Sequence, residues 1–354
     1  MTAPGESPPA TNPTMRDVAS YAQVSPMTVS RTLRDDPRVS PGTREKVLTA
    51  VTALGYRRNE AARNLRLGRS HGLFGLIVTN LANPFYSQLA LGVESIAASH
   101  GMSVLLGNSG EDPQRERQLA QDFASRNLDG IIAVPSGNHH TYLDPATLGM
   151  PVVLAASPPS KIAVDAVLLD DFGGTWEATR ELIHRGHTRI GFLGPSASTW
   201  TGSERFRGFC AALEEAGITA EEHYLARHQL DVATAQQAAG KLLDQPDPPT
   251  ALFAANNRNT IGAYRAIRER GFTTTLAGFD DFELADMLAL PLIIVAYDPR
   301  ELGRQAARLL CERVEDPQRG KDMQPRQVTI PTNLIEYEAD EPTSRRELRH
   351  HKAD

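Results

Sequence analysis

The chain has 354 residues, 40% of them hydrophobic, which leaves room for a small module beside a larger body with a real core. No apolar run approaches the ~18 residues of a membrane span, and two cysteines, Cys210 and Cys311, exclude a disulfide framework; each falls in an amphipathic helical pattern that predicts a buried free thiol. Charge is unevenly spread: the chain carries a net −6, yet residues 15–69 hold eleven Arg and Lys against five Asp and Glu. A basic module on an acidic body is the electrostatic footprint of a nucleic-acid binder.

The first 13 residues, rich in Pro and small polar residues, lack the basic start and apolar stretch of a signal peptide. They predict a disordered tail on a cytoplasmic protein. Thr14, followed three residues later by Asp17, is a capping-box-like helix start, with Val18, Ala19 and Ala22 on one apolar face. Ser25 then caps a second helix with Pro26 at its first position. The tight turn between them makes a helix-turn-helix, whose second helix presents its N-terminal end to a major groove. Pro26, Met27, Thr28, Ser30 and Arg31 are exposed on it, while Val29 and Leu33 turn inward onto Val47, Leu48 and Val51 of a third helix. Arg31 is the one long bidentate donor, suited to guanine O6 and N7. Gly55-Tyr56 ends the third helix, and Asn59 opens a stretch, EAARNLRL, too short to be a stable helix alone.

Farther on, Val/Ile/Leu-rich runs (LFGLIVTN, MSVLLGNS, GIIAVP, PVVLAA, AVLLD, RIGFLGP, TALFAAN, TLAGFDD) alternate with amphipathic helical patterns. They predict parallel sheets covered on both faces, with ligands held outside the carboxyl ends of the strands. No GxGxxG follows a strand, and GxxxxGK[ST], HExxH, CxxC and GxSxG are missing. His139, His140, His184 and His187 are scattered or loop-bound. The expectation is a protein without catalysis, metal set or cofactor.

DVASYAQVSPMTVSRTL, VSPGTREKVLTAVTALGY and the ARxL pattern at Ala62 to Leu65 resemble the DNA-binding domain of the lactose-repressor (LacI/GalR) family. NPFYSQLALGVE, VLLDDFGGTWEATRELIHRGHTRIGFLGP, RFRGF, AANNRNTIGAYRAI, AGFDD and DPRELGRQAARLL extend the resemblance over residues 14 to 337. It implies a helix-turn-helix domain at 14–58, a hinge helix and linker at 59–72, and a two-lobed α/β body at 73–337 like that of periplasmic sugar-binding proteins. Lobe 1 would take 73–171 and 298–326, lobe 2 172–296 and 327–337, before a charged, frayed tail at 338–354. The chain would cross between lobes near Asp170 to Gly173, near Tyr297 and near Gln327.

The resemblance further implies base reading by Pro26, Met27 and Arg31, and backbone contacts or buttressing by Thr14, Tyr21, Ser40, Thr43, Arg44 and Asn59. Leu65, beside Ala62 and Arg63, would wedge into the minor groove; the alternative is a buried linker leucine. In the inter-lobe cleft, Arg205 and Asp280 match effector ligands, and Phe85 and Tyr86 follow the NP turn that lines the pocket. Arg205 could instead pair with Glu204 or Glu214 on a solvated face, and the two aromatics could be core. Two positions depart from the family pattern. Asn257-Arg258 replaces an acidic residue by an amide and sets a cation beside it, and Tyr297 stands where a glutamine is usual. Arg258 is suited to a carboxylate or phosphate, or is an exposed arginine at a helix start. The function implied is a transcriptional regulator, a repressor, that binds palindromic double-stranded operator DNA as a homodimer. Its effector would be a small sugar or sugar derivative, neutral or anionic. The rival reading is a sugar-binding protein with no role on DNA.

Overall fold

Thr14 and Asp17 cap each other at the start of α1 (Met15–Tyr21) in the computed structural model, the Thr14 N–H donating to Asp17 Oδ2 at 2.7 Å and the Asp17 N–H to Thr14 Oγ1 at 3.3 Å. Ser25 caps α2 (Pro26–Thr32) by accepting from the Thr28 N–H, and Ser40 caps α3 (Pro41–Leu54) in the same way through Thr43. Gly55, at φ 63°, closes α3 in the left-handed conformation that only glycine adopts without steric cost. Val18, Ala19, Ala22, Val29, Val47 and Ala50 form the core of this three-helix unit. Leu48 does not join them as expected: it is exposed, one position round the helix from the buried Val47. The structure describes residues 13–56, 72–195, 199–229, 231–315, 324–338 and the strand Arg345–Glu347, and they fall in two compact units, within residues 1–71 and 72–354. Asn59, Ala62, Arg63 and Leu65 lie outside the described residues.

The second unit alternates strand and helix. In order come β1 (Leu73–Val78), α4 (Pro84–Ser99), β2 (Ser103–Asn108), α5 (Pro113–Ser125), β3 (Gly130–Ala133), α6 (Pro145–Leu148), β4 (Val152–Ala155) and β5 (Asp165–Leu169). Then follow α7 (Asp171–His184), β6 (Ile190–Gly194), α8 (Trp200–Glu215), β7 (Leu225–Arg227), α9 (Val232–Leu243), β8 (Ala251–Ala254), α10 (Asn257–Arg270), β9 (Thr275–Phe279) and β10 (Leu292–Ala296). The last elements are α11 (Pro299–Glu315), β11 (Gln327–Ile330), β12 (Asn333–Tyr337) and β13 (Arg345–Glu347).

Two sheets result. The first has the order β11-β5-β4-β3-β1-β2 and is parallel throughout; the second runs β13-β12-β10-β9-β8-β6-β7. Its strands β10-β9-β8-β6-β7 are parallel, but β12 and β13 add an antiparallel edge, a departure from the parallel sheets expected. Each sheet has an apolar cluster on both faces, which is why its strands read as continuous apolar runs. The segment Arg345–Glu347, read from sequence as part of a frayed tail, pairs with β12.

The chain passes between the sheets at Asp170, at Tyr297–Asp298 and at Pro331–Thr332. The third passage is later than the Gln327 read from sequence, because Gln327–Ile330 still pairs with Ala166–Leu169 of the first sheet. Helices α4 and α11 cross in very close contact: a Cβ on Gly92 would fall 2.1 Å from the Arg300 carbonyl oxygen, and one on Gly303 2.1 Å from that of Leu89. At the far end of the first sheet, buried Asp165 accepts bonds from Arg313 at 2.7 and 2.9 Å and from the Arg326 N–H at 2.7 Å.

Candidate functional site

In the first unit, inward packing of Val29 and Thr32 leaves Pro26, Met27 and Arg31 on the exposed side of α2, with Tyr21 exposed at the end of α1. Thr28 and Ser30 are half-buried and already bonded. The Thr28 N–H donates to Ser25 Oγ, and the Ser30 carbonyl and hydroxyl oxygens accept from Arg34 at 3.1 Å each. Arg34 thus joins this face, a residue the sequence reading passed over. Ser40 and Thr43 sit at the start of α3 as cap and capped residue. Arg44 turns back onto the loop before α3, bonding the Asp35 carboxylate and the Asp36 carbonyl, so its guanidinium buttresses that loop.

In the second unit, a cavity of about 440 Å³ opens between the ends of the two sheets. Phe85 and Gln88 reach it from the first turns of α4, which Asn83 starts by accepting the Phe85 N–H at 3.1 Å. Pro299 follows from the start of α11. Asn257 enters at the first turn of α10, Asp280 at the carboxyl end of β9, and Tyr297 from the second crossing. The remaining wall comes from the loop after β9, with Asp281, Phe282, Glu283 and Asp286, and from Tyr337.

Asp280 is buried and holds a φ of 71°, a left-handed conformation uncommon outside glycine and typical of strain kept at functional sites. Its carboxylate accepts from the Tyr297 hydroxyl at 2.7 Å and faces the Arg205 guanidinium at 3.4 Å. Arg205 stands behind this wall and does not line it. It is buried, lies over the Phe279 ring at 3.6 Å, and donates to Asp171 at 2.8 Å and to the Ala255 carbonyl at 2.6 Å. Burial opposes its charge, yet Asp280 and Asp171 hold its pKa above the ordinary arginine value. Burial likewise pushes the Asp171 carboxyl up to about 6, the Arg205 charge only partly countering it, and Asp171 Oδ2 has no partner. Burial first, and then the Asp280 charge, raises the Tyr297 phenol well above its ordinary range. The solvated pairing of Arg205 with Glu204 or Glu214 is absent; Glu204 bonds Arg207 instead.

Phe85 meets Tyr86 edge-on at 4.9 Å and Tyr297 at 6.2 Å between ring centroids. Tyr86 lies behind Phe85, accepting the Thr79 hydroxyl, so one aromatic of the pair lines the cavity and the other packs beneath it. Asn257 Nδ2 donates to Asn83 Oδ1 at 3.0 Å, a bond from the second sheet's helices to the first's. Arg258 is not in the wall. It stands near Asp231, whose carboxyl is held below its ordinary range by the Thr234 N–H and hydroxyl and, more weakly, by the Arg258 charge. Glu283, Asp286, Gln88 and Tyr337 escaped the sequence reading; the acidic run in DDFELAD was their one local signal. Among the described residues no cluster of His, Cys, Asp and Glu could hold a metal ion, and no helix is long and apolar enough to cross a membrane.

Residues 14–59 match the bacterial regulatory proteins of the lacI family, and residues 71–338 match the periplasmic binding proteins and sugar binding domain of LacI family. The chain belongs to the LacI family. This regulator is 31% identical to the HTH-type transcriptional regulator DegA of Bacillus subtilis (strain 168), over 91% of its own length and 96% of that protein's. It is also 31% identical to catabolite control protein A of Priestia megaterium, over 85% of its length and 92% of that protein's. Among solved structures, a lac repressor dimer bound to operator and the anti-inducer ONPF superposes with a TM-score of 0.77 at 25% identity, covering 92% of this chain and 98% of that one. The cellobiose complex of the transcriptional regulator CelR does so with a TM-score of 0.67 at 29% identity, covering 91% and 98%. The regulator is therefore a DNA-binding transcription factor with an effector-binding body, and not an enzyme.

Proposed function

We propose that the regulator is a cytoplasmic repressor that binds a two-fold palindromic operator as a homodimer and is switched by a small hydroxylated effector held in the cavity between the two sheets. The observation that carries this reading is the cavity itself. Its volume of about 440 Å³ suits a molecule of one or two sugar rings, and its wall sets Phe85 and Tyr297 beside the polar groups of Asp280, Asn257 and Gln88. Relatives crystallised with cellobiose and with ribose support a sugar or sugar derivative as the effector class. A dimer follows from the small reading surface: one short helix supplies too few base contacts for useful specificity, and two half-sites double them.

Pro26, Met27 and Arg31 read bases in this scheme, while Ser40, Thr43 and the capped start of α1 meet phosphates. Asn59, Ala62, Arg63 and Leu65 supply the hinge and wedge on sequence grounds alone. The effector acts by favouring one relative setting of the two lobes, and it can bias operator binding only by that differential affinity. Selecting bound DNA from a random pool, then screening metabolites for altered binding to the selected site, tests the proposal. A palindromic site and a metabolite whose effect vanishes in Asp280→Asn support it. An asymmetric single half-site, or an effector response untouched by that substitution, overturns it.

A further inference from the structure

We propose that Tyr297 sets the effector specificity of this regulator by selecting a molecule that joins a planar, apolar ring to its hydroxylated part. The inference rests on the reading of the cavity as the effector site and concerns the class of molecule that fits there. Its basis is the placement of rings in the wall. Phe85 and Pro299 bring them from the first sheet's helices, Phe282 from the loop after β9, and Tyr297 from the crossing between the sheets. Tyr297 packs against an apolar cluster of each sheet, so its ring belongs to both lobes. Its orientation is held at three points: the hydroxyl donates to Asp280 at 2.7 Å, and the ring lies 5.9 Å from Phe279 and 6.2 Å from Phe85. The planes of Phe85 and Tyr297 stand at 64°, making a corner. A planar ring laid on the face of one meets the edge of the other, and both arrangements are favoured between aromatic groups.

The hydrogen bonds of the wall point the same way by an independent route. Asn257 is 3% exposed and gives its amide N–H to Asn83. Gln88 takes the Arg300 Nε–H on its oxygen at 2.7 Å. Tyr297 commits its one proton to Asp280, and Tyr337 donates to Asp281 at 2.9 Å. Polar groups of the wall are thus bonded to the protein itself. A sugar hydroxylated on every side would bury hydroxyls against groups already engaged, and a buried hydroxyl left unpaired costs free energy. A planar ring asks for no such partner and gains contact from the rings it meets. The hydroxylated part then takes Asp280, the Asn257 Oδ1, which is buried without a donor, and the amide nitrogen of Gln88. A glycoside with an aromatic aglycone and a nucleoside share this chemistry.

The test titrates the full-length protein calorimetrically with paired probes. For an aglycone ring these are the 4-nitrophenyl and methyl β-pyranosides of glucose, galactose and xylose; for a base, adenosine and uridine against methyl riboside. In at least one pair the ring-bearing probe is expected to bind about tenfold or more tightly than its partner. Tyr297→Gln, which exchanges the ring for an amide, should reduce that preference to about twofold or less, while Tyr297→Phe should retain it. Phe282→Leu should also lower it, which gives a second reading where Tyr297→Gln does not fold. Ring-bearing probes that bind no tighter than their partners in every pair overturn the proposal, as does a lack of binding by all of them in the millimolar range. A preference unchanged in Tyr297→Gln, or lost as fully in Tyr297→Phe, overturns it as well. A plain sugar that equals its ring-bearing partner and is lost in Asp280→Asn removes the ring and leaves the cleft reading standing; binding indifferent to Asp280→Asn removes the cleft reading itself.

Discussion

Asn83 Oδ1 accepts two hydrogen bonds at once, from the Phe85 N–H at 3.1 Å, which starts α4, and from Asn257 Nδ2 at 3.0 Å across the cleft. One amide oxygen thereby fixes the helix that carries the cavity's phenylalanine and ties it to the opposite lobe.

Asn257→Asp breaks that tie, since a carboxylate has no proton to give and would set oxygen against oxygen. The lost bond is worth about 1 kcal/mol. A negative charge in the first turn of α10 returns about 0.3–1 kcal/mol through the helix dipole. Global stability should therefore change little while the free protein opens, read as a larger radius of gyration by small-angle scattering. Unchanged scattering would show that the bond does not hold the lobes together.

Asp171 gives a pH signature. Its folded pKa of about 6 stands above the ordinary 3.8, so folding favours the protonated carboxyl relative to the unfolded chain. The associated stability is fully present below about pH 4 and is lost as pH rises through 6, a change on the order of 3 kcal/mol. Urea denaturation between pH 4 and 7 should show this decline in wild type, and Asp171→Asn should flatten it. A slope identical in the two proteins rules Asp171 out as its source.

Asp165→Ala leaves the Arg313 guanidinium without its buried bidentate carboxylate and the Arg326 N–H without its acceptor. Removing one partner of a buried pair costs about 3–5 kcal/mol. The denaturant midpoint of the second unit should fall accordingly, whereas a shift under 1 kcal/mol would mean that water replaces the carboxylate.

Arg31→Ala should relax discrimination at one base pair by about 1–3 kcal/mol, with random-sequence DNA bound almost as before. Equal loss on selected and random DNA, with a shallower salt dependence, would make Arg31 a phosphate contact instead.

Local chemistry made much of the fold legible. Thr14 with Asp17, Ser25 with Pro26, and Gly55 mark helix ends through bonds between near neighbours, and sheets buried on both faces reveal themselves as apolar runs. The antiparallel edge was not legible, because β12 and β13 are short and owe their strand state to β10 and to each other. Nor was the partner choice of Arg205. Glu204 and Glu214 share its helix, but Asp171 and Asp280, 34 and 75 residues away, are brought to it by the sheet. The cavity wall has the same origin: Tyr337 and Gln88 meet Asp281 and Glu283 only after the chain has crossed between lobes three times.

The glycine contact between α4 and α11 bears on how such a cavity can change shape. With Gly92 against the Arg300 backbone and Gly303 against that of Leu89, the two helices meet backbone to backbone, with no room for a side chain at either glycine. Phe85 and Gln88 at the head of one helix and Pro299 at the head of the other therefore form one jaw of the cavity. The acidic loop after β9 belongs to the opposing jaw. Three short crossings, at Asp170, Tyr297–Asp298 and Pro331–Thr332, join the two jaws, and one of them is itself part of the cavity wall. A molecule that pressed on Tyr297 would thus press on a crossing directly, and the grip of the site and the angle of the lobes would become one mechanical variable.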